Sequence, residues 1–361
     1  MTWEGFGTAQ LTLPRLLYRQ EGDEAWLTAS VFASSRAVAE RDLRLTRDLW
    51  HWLLGRIRER RAEEMEEGRY REWTGRQPRM LGGMPVVMEE APTVKEWQDL
   101  IAQAAGAVNM GLFEKVVLAR SVVVPETALV DASVALGRLS AEVEDGVVFA
   151  FTRSGHCFLG ATPERLVRLW SGKVETAALA GSVARTGIEE DDARLAAELL
   201  KDVKNRWEHE IVVRAIVQAL VSAGVRVGPV AEPVVMQTAA IQHLYTPIVG
   251  ESAPGMTALD LVERLHPTPA TGGEPTEAAL NWLREHEGLD RGWYAAPVGW
   301  IDGLGNGEFA VALRSGVLTA QRATLFAGCG IVAGSDPRKE LAESETKFQP
   351  MLRAIVRRGG E

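Results

Sequence analysis

Lys115 opens the apolar run EKVVLAR, with Glu114 before it and Arg120 five positions on. A lysine at a strand end is ordinarily solvated. An ammonium buried beside Arg120 would instead lose proton affinity through desolvation and like charge, and could then act as a base near neutrality. Glu164 stands in GATPERL, at a turn closed by Pro163. Set against apolar walls, for which Phe158, Leu159 and Leu166 are candidates, such a carboxyl keeps its proton near neutral pH and can donate it. Glu208, in KNRWEHEIVV, has Ile211 and Val212 three and four positions on. That spacing puts it on the apolar stripe of a helix, where a carboxylate must be paired, hydrogen-bonded or metal-bound. In KELAESETK, Glu340, Glu343 and Lys347 are three and four apart and share one helix face. An exposed salt-bridged helix has the same spacing, but together with Glu208 these acids form a hard-oxygen set suited to Mg2+. Arg314 in VALRSG, with the glycines of ALAGS and PATGGEP, offers a guanidinium fork and free amides to a carboxylate. No glycine pair fits a Walker loop or a dinucleotide fingerprint. The chemistry reached is an acidic metal site, a lysine, a lone acid and an arginine, facing an anionic small molecule. The residues do not name that molecule.

The elements that must hold these groups are legible in the pattern. Residues 1 to about 35 alternate apolar and polar in runs such as AWLTASVF, which predicts strands joined by turns. From Ser35 to about Arg71, Leu43, Leu49, Trp52 and Leu53 fall at helical spacing ahead of a charged, solvated end. Residues 72 to 92 mix Gly, Pro and acids without period, which predicts a loop or linker. A helix from about Thr93 to Met110 stops at Gly111, and KVVLARSVVVP follows as a strand. GVVFAFTR, HCFLGATPERLVRLW and GKVETAALAGSVAR read as strand runs. Ile188 to about Ala223 reads as one long helix on the stripe Leu195, Leu199, Val203, Ile211 and Ala215. PVVMQTAAIQHLYTPIVGE reads as a strand pair, and a helix over about Thr257–Leu265 leads into the turn-rich HPTPATGGEPTEAAL. The remainder reads as strands GWYAAPVGWID, EFAVALRSGVLT and RATLFAGCGIVAG, then a helix over about Pro337–Arg357. Strands clustered in antiparallel fashion, with helices between clusters, favour an α+β fold over a doubly wound parallel sheet.

The 361 residues are 46% hydrophobic and 25% charged, a balance that predicts a folded soluble protein. A net charge of -9 argues against nucleic-acid or anionic-membrane partners, so an anionic ligand needs a local basic pocket. Two distant cysteines, Cys157 and Cys329, predict reduced thiols rather than a disulfide framework or a zinc site. Without an unbroken apolar leader or an eighteen-residue apolar run, the expected location is the cytoplasm.

The motifs EKVVLAR, GATPERL, ALAGSVART, LLKDVKNRWEHEIVV, HPTPATGGEP, the GWY and GW pair, FAVALRS and AGCGIVAGSDPRKELAESETK follow one another along the chain. In this order they resemble the chorismate-utilising enzymes: isochorismate synthases, salicylate synthases, anthranilate synthase large subunits and aminodeoxychorismate synthases. The likeness runs from about Thr93 to Arg357, with residues 1–92 matching loosely as the variable N-terminal part of the same fold and 93–361 as the chorismate-binding catalytic region. It implies large antiparallel sheets stacked at the centre, helices outside, and a site in the central cleft. It also implies roles. Lys115 resembles the base that takes a proton from water attacking ring C2 of chorismate, and Glu164 the acid that protonates the departing C4 hydroxyl. Glu208 and Glu343, with Glu340 nearby, resemble glutamates that bind Mg2+. Arg314, Lys347 and the backbone at Gly181 and Ser182 resemble carboxylate-binding groups, and Ala270, Thr271, Tyr294 and Gly330 complete the substrate set.

Ammonia-using members generally lack the lysine, so Lys115 points to water chemistry without a glutaminase subunit. The resemblance therefore implies an Mg2+-dependent isochorismate synthase, a monomer or weak homodimer, serving menaquinone or, alternatively, siderophore synthesis. Thr271, where many isochorismate synthases have Val or Leu, and Tyr294 leave a salicylate synthase as second reading, through pyruvate elimination. A non-catalytic chorismate-fold binding protein is a third, which the paired Lys115 and Glu164 disfavour.

Overall fold

A computed structural model describes residues 2–3, 5–14, 16–21, 24–30, 35–66, 89–125, 129–143, 146–238 and 241–356. In chain order the elements are β1 (Leu16–Glu21), β2 (Glu24–Ala29), α1 (Arg36–Glu66), β3 (Glu89–Ala91), α2 (Val94–Asn109), β4 (Lys115–Pro125), α3 (Ala132–Glu142) and β5 (Val147–Arg153). Next come β6 (His156–Thr162), β7 (Arg165–Trp170), β8 (Lys173–Ala184), α4 (Glu189–Leu199), α5 (Val203–Ser222), β9 (Arg226–Val227), β10 (Val234–Gln237) and β11 (Ile241–Glu251). The last are α6 (Ala258–Leu265), β12 (Gly273–Glu274), α7 (Thr276–His286), β13 (Pro297–Ile301), β14 (Gly307–Val311), β15 (Ser315–Leu318), β16 (Arg322–Ile331) and α8 (Pro337–Ile355).

The chain divides into two compact units. Gly7–Pro78 contains the antiparallel pair β1–β2 and the helix α1. Met1–Phe6 with Arg79–Glu361 contains two seven-stranded sheets whose pairings are antiparallel. One runs β10-β11-β8-β7-β14-β13, with β9 on β11; the other runs β12-β4-β16-β15-β6-β5, with β3 on β4. The loop expected over 72–92 lies outside the described residues up to 88, and β3 then pairs with Ser121–Val123 of β4.

Side-chain alternation along β4 explains how one strand serves two environments. Val122 and Val124 pack with α3 and α8, and Val116 and Leu118 pack with α2 and α7, on the outer face of their sheet. Lys115, Val117 and Ala119 point the other way, into a central cleft. A third helical layer, from Val212, Ile216 and Leu220 of α5 and Leu261 and Leu265 of α6, covers β7, β8 and β11. Between the sheets, Phe149, Phe158 and Val317 of one meet Val298 and Ala310 of the other around Trp293.

Several expected elements differ in detail. The helix read over 188–223 is two, α4 and α5, because Asp202 starts a new helix by accepting the Asn205 amide proton. EFAVALRSGVLT is not one strand: β14 and β15 belong to different sheets, and Arg314 between them has φ 47°. The turn-rich stretch ends sooner than its composition implies, since α7 starts at Thr276 behind the N-cap Pro275. In GWYAAPVGWID only Pro297–Ile301 is strand. Helix α3 had no counterpart in the pattern reading.

Candidate active site

Two chain crossovers between the sheets build the centre of the molecule. β6 leaves one sheet at Thr162 and β7 enters the other at Arg165, so Pro163 and Glu164 form the first crossing. Ala312–Arg314 forms the second, between β14 and β15. The crossings are tied together: the Ala161 amide donates to the Arg314 carbonyl at 3.1 Å, and the Val311 amide to the Glu164 carbonyl at 3.0 Å. Glu164 and Arg314 therefore face one cleft from fixed backbone.

β8 contributes a bulge to the same cleft. Its register with β11 slips between His243 and Leu244, leaving Gly181 unpaired at φ 77°, a conformation that favours glycine. Asn205 from α5 lies against that glycine and accepts the Ser182 amide proton through Oδ1 at 3.3 Å. Next along α5 on the cleft side is Glu208, whose Oε1 lies 2.9 Å from Lys115 Nζ. Gly330 of β16 leaves the room for this pair, because a Cβ on it would come within 2.3 Å of Glu208 Oε1 and 2.7 Å of Lys115 Cε and would push both side-chain ends aside. From α8, Glu343 and Lys347 pair at 2.6 Å, and Lys347 also donates to the Gly328 carbonyl at 2.9 Å.

Of the residues singled out from sequence, Lys115, Glu164, Gly181, Ser182, Glu208, Ala270, Thr271, Tyr294, Arg314, Gly330, Glu343 and Lys347 all line this one cleft. Glu340 does not. It is buried behind the cleft on the Lys204 ammonium, at 2.6 Å, and burial followed by the nearby Glu343 charge raises its pKa. Arg120 corrects a second expectation. Five residues from Lys115 is an odd number, so the two side chains leave opposite faces of β4. Arg120 pairs with Glu90 at 3.1 Å over Trp97 and Phe348, and the neighbour of Lys115 is an acid. The walls proposed for Glu164 also change: Phe158 and Leu159 pack in other clusters, and Val117, Leu179 and Leu313 line the cleft instead.

The electrostatics are uneven. Burial pushes the Glu164 carboxyl up to about 7, against the opposing charges of Lys115, Arg314 and Lys347. Burial acts in the same direction on Glu343, but the Lys347 ammonium, with Lys204 and the Ser182 hydroxyl, holds that carboxyl down at about 2. Thus one acid is poised to donate a proton near neutrality while the other stays ionised. Four cations, Lys115, Arg291, Arg314 and Lys347, line the cleft against three carboxylates, one of which holds its proton to about 7. The cleft is therefore a cationic pocket in an acidic chain, as an anionic ligand requires.

Residues that pattern reading missed also lie here. His243 is buried on the cleft wall, and burial, then Arg314 and Lys347, hold its pKa down at about 3. Its Nε2 has no hydrogen-bond partner among the described residues, and because the neutral ring donates its one N–H to the Gly181 backbone, Nε2 is left as an acceptor. Nothing in QHLYT marks that histidine by type and spacing. Arg291 also lines the cleft, bonded to the Thr271 carbonyl at 2.9 Å. The Thr271 hydroxyl itself donates to the Thr268 carbonyl at 3.2 Å.

Glu208 and Glu343 fit a hard divalent ion by donor type, since Mg2+ takes one or two carboxylates and keeps several waters. Among the described residues no group of three His, Cys, Asp or Glu side chains is close enough to hold a metal, so the expected three-glutamate set narrows to two cleft carboxylates. Cys157 and Cys329 are buried and unpaired. No helix of the described residues is long and apolar enough to cross a membrane.

A family profile described as chorismate binding enzyme matches residues 1–356. The isochorismate synthase MenF of Bacillus subtilis is 45% identical over 266 residues, 74% of this chain and 56% of that protein. The salicylate biosynthesis isochorismate synthase of Pseudomonas aeruginosa is 46% identical over 266 residues, again 56% of its length. The chain thus matches little more than half the length of these two relatives. Among solved structures, the menaquinone-specific isochorismate synthase MenF of Escherichia coli superposes with a TM-score of 0.74 at 27% identity, covering 94% of this chain and 75% of that one.

Proposed function

The chain belongs to the chorismate-binding enzyme family, and on that premise we propose that it is an Mg2+-dependent isochorismate synthase. The observation that carries this reading is one cleft that holds a buried acid, Glu164 on the β6–β7 crossing, with its pKa raised by burial to about 7, and a buried lysine, Lys115 at the start of β4. Water addition with loss of a hydroxyl needs a base for the incoming oxygen and an acid for the outgoing one.

In the proposed reaction the ring of chorismate lies between these two groups, its carboxylates met by Arg314, Lys347 and the backbone of the Gly181 bulge. Lys115 Nζ, entering the step as the neutral amine, takes a proton from water as the water oxygen bonds to C2, and becomes an ammonium facing Glu208. The ring double bond shifts and the C4–O bond breaks. Glu164 gives its proton to the departing oxygen, which leaves as water, so one water enters and one leaves. The reverse reaction uses the same groups with their proton loads exchanged. His243, neutral at every working pH, offers Nε2 to a hydroxyl of the substrate or to the water. Glu208 and Glu343 would hold the Mg2+ ion. When bound, that ion supplies positive charge for the ring carboxylate.

The names of the Bacillus and Pseudomonas relatives support isochorismate as the product. The menaquinone-specific name of the Escherichia structure supports menaquinone synthesis as the use. The second reading, a salicylate synthase, rests on polar groups from Thr271 and Tyr294; the Thr271 hydroxyl turned to the Thr268 carbonyl weakens the first, and Tyr294 lines the cleft. Action in the cytoplasm without a glutaminase is part of the proposal.

The test is to incubate the purified protein with chorismate and Mg2+ and separate the products. Isochorismate in equilibrium with chorismate, without pyruvate, is the expected result; salicylate with equimolar pyruvate, or no turnover, contradicts it.

A further inference from the structure

The edge of β4 next to Lys115 is completed by side chains rather than by a strand. β12 covers Lys115 and Val116, and β3 covers Ser121 to Val123. In the gap, the Val117 carbonyl accepts from Arg291 Nη2 at 2.6 Å, and the Ala119 amide donates to Glu287 Oε2 at 2.9 Å. The two side chains are joined by a bidentate ion pair, Nε to Oε1 and Nη2 to Oε2, both at 2.6 Å. A donor and an acceptor locked in one plane thus take the place of the missing strand residue. The remaining arm, Arg291 Nη1, donates to the Thr271 carbonyl at 2.9 Å. Four of the guanidinium's five N–H groups are therefore used within the protein.

Resting on the reading of Lys115 as base, we infer that Glu287 and Arg291 are positioning residues. Their pair fixes the strand that carries Lys115 against the loop that carries Ala270 and Thr271, and so sets the width of the cleft between base and substrate wall. A buried ion pair is a poor source of stability compared with apolar packing of the same volume. What this pair supplies is a planar, charged linkage among three backbone segments: β4 at Val117 and Ala119, the loop at Thr271, and the end of α7. Lysine cannot reproduce it, because a single ammonium has no fork.

Arg291→Lys and Glu287→Gln test the inference, with Arg291→Gly for rescue. Mispositioning of reacting groups by about 1 Å costs on the order of 100-fold, so Arg291→Lys is expected to lower kcat about 100-fold while KM for chorismate moves less than about fivefold. Guanidinium ion at millimolar concentration is expected to restore turnover to Arg291→Gly, and ammonium ion is not; a sample merely short of folded protein gains nothing from guanidinium. Hydrogen exchange is the readout that does not depend on turnover. Peptides spanning 115–121 and 268–274 are expected to exchange faster in Arg291→Lys and Glu287→Gln, with those of β11 unchanged. Unaltered exchange at both segments, or kcat within about threefold of the parent despite faster exchange, overturns the inference. A parent inert toward chorismate overturns the proposed reaction, and exchange alone then decides whether the pair holds the two segments together.

Discussion

Glu164 gives the most exacting prediction, because its environment fixes both the size and the sign of a pH effect. At an ordinary pKa of 4.5 only about 0.3% of the carboxyl would be protonated at pH 7; at about 7, half of it is, roughly 150-fold more acid. The acid form is present below that pKa and is lost as pH rises through it. With Lys115 in one protonation state across the range, forward kcat/KM, which reports the free enzyme, is therefore expected to fall about fivefold from pH 7 to pH 8 and about tenfold more by pH 9. Glu164→Gln keeps the shape and has no proton to give, so its rate is expected to drop by about 10^2 to 10^4. Its alkaline limb disappears as well. The assay is the initial rate of chorismate consumption at saturating Mg2+, followed by chromatography across the pH series. A glutamine variant retaining more than about a tenth of the parent rate, or showing the same alkaline limb, refutes the assignment of Glu164 as acid.

The other expectations follow from neighbouring contacts. Lys115→Ala is expected to lower kcat/KM by about 10^2 to 10^4 in the same assay, and a near-parent rate contradicts its role as base. Gly330→Ala pushes a methyl group onto Glu208 and Lys115, 2.3 and 2.7 Å away, and is expected to cost about 100-fold in kcat with the melting temperature little changed. Glu343→Gln removes a carboxylate held ionised in the cleft; the Mg2+ concentration for half-maximal rate is expected to rise at least about tenfold, measured by metal titration. Chelation is expected to abolish turnover and added Mg2+ to restore it, whereas a chelated sample at full rate would remove the metal from the account.

Part of the cleft was legible because its groups break the local pattern, a lysine opening an apolar strand and Glu208 on an apolar stripe, while Ala270, Thr271, Tyr294 and Gly330 came only from the family resemblance. Element types were legible where the apolar signal is long, in the near-continuous runs of β4 and β16, buried on both faces, and in the helical stripes of α2 and α8. What stayed hidden is set by three-dimensional pairing. The apolar run FAVALRSGVL gives no sign that it changes sheets at Arg314, because strands of both sheets are buried alike. Lys201 and Asp202 interrupt a helical stripe with no Gly or Pro, so only the cap at Asp202 marks the break. Arg120 differs from Lys115 by strand parity, a signal that was present in the spacing and needed only counting. Glu287 and Arg291 have the spacing of any helix-surface ion pair, and nothing local shows that the pair completes a sheet edge.

The central claim is that water adds at C2 as the C4 hydroxyl departs, and an isotope measurement tests it most directly. Chorismate is converted by the purified protein in water enriched in 18O, and the isochorismate is analysed by mass spectrometry at low conversion. The account predicts one 18O atom per product molecule, at C2, and labelled product forming about 10^2 to 10^4 times more slowly when Lys115 is replaced by Ala. Unlabelled isochorismate would contradict it, because the hydroxyl would then have migrated within the substrate without a water molecule entering.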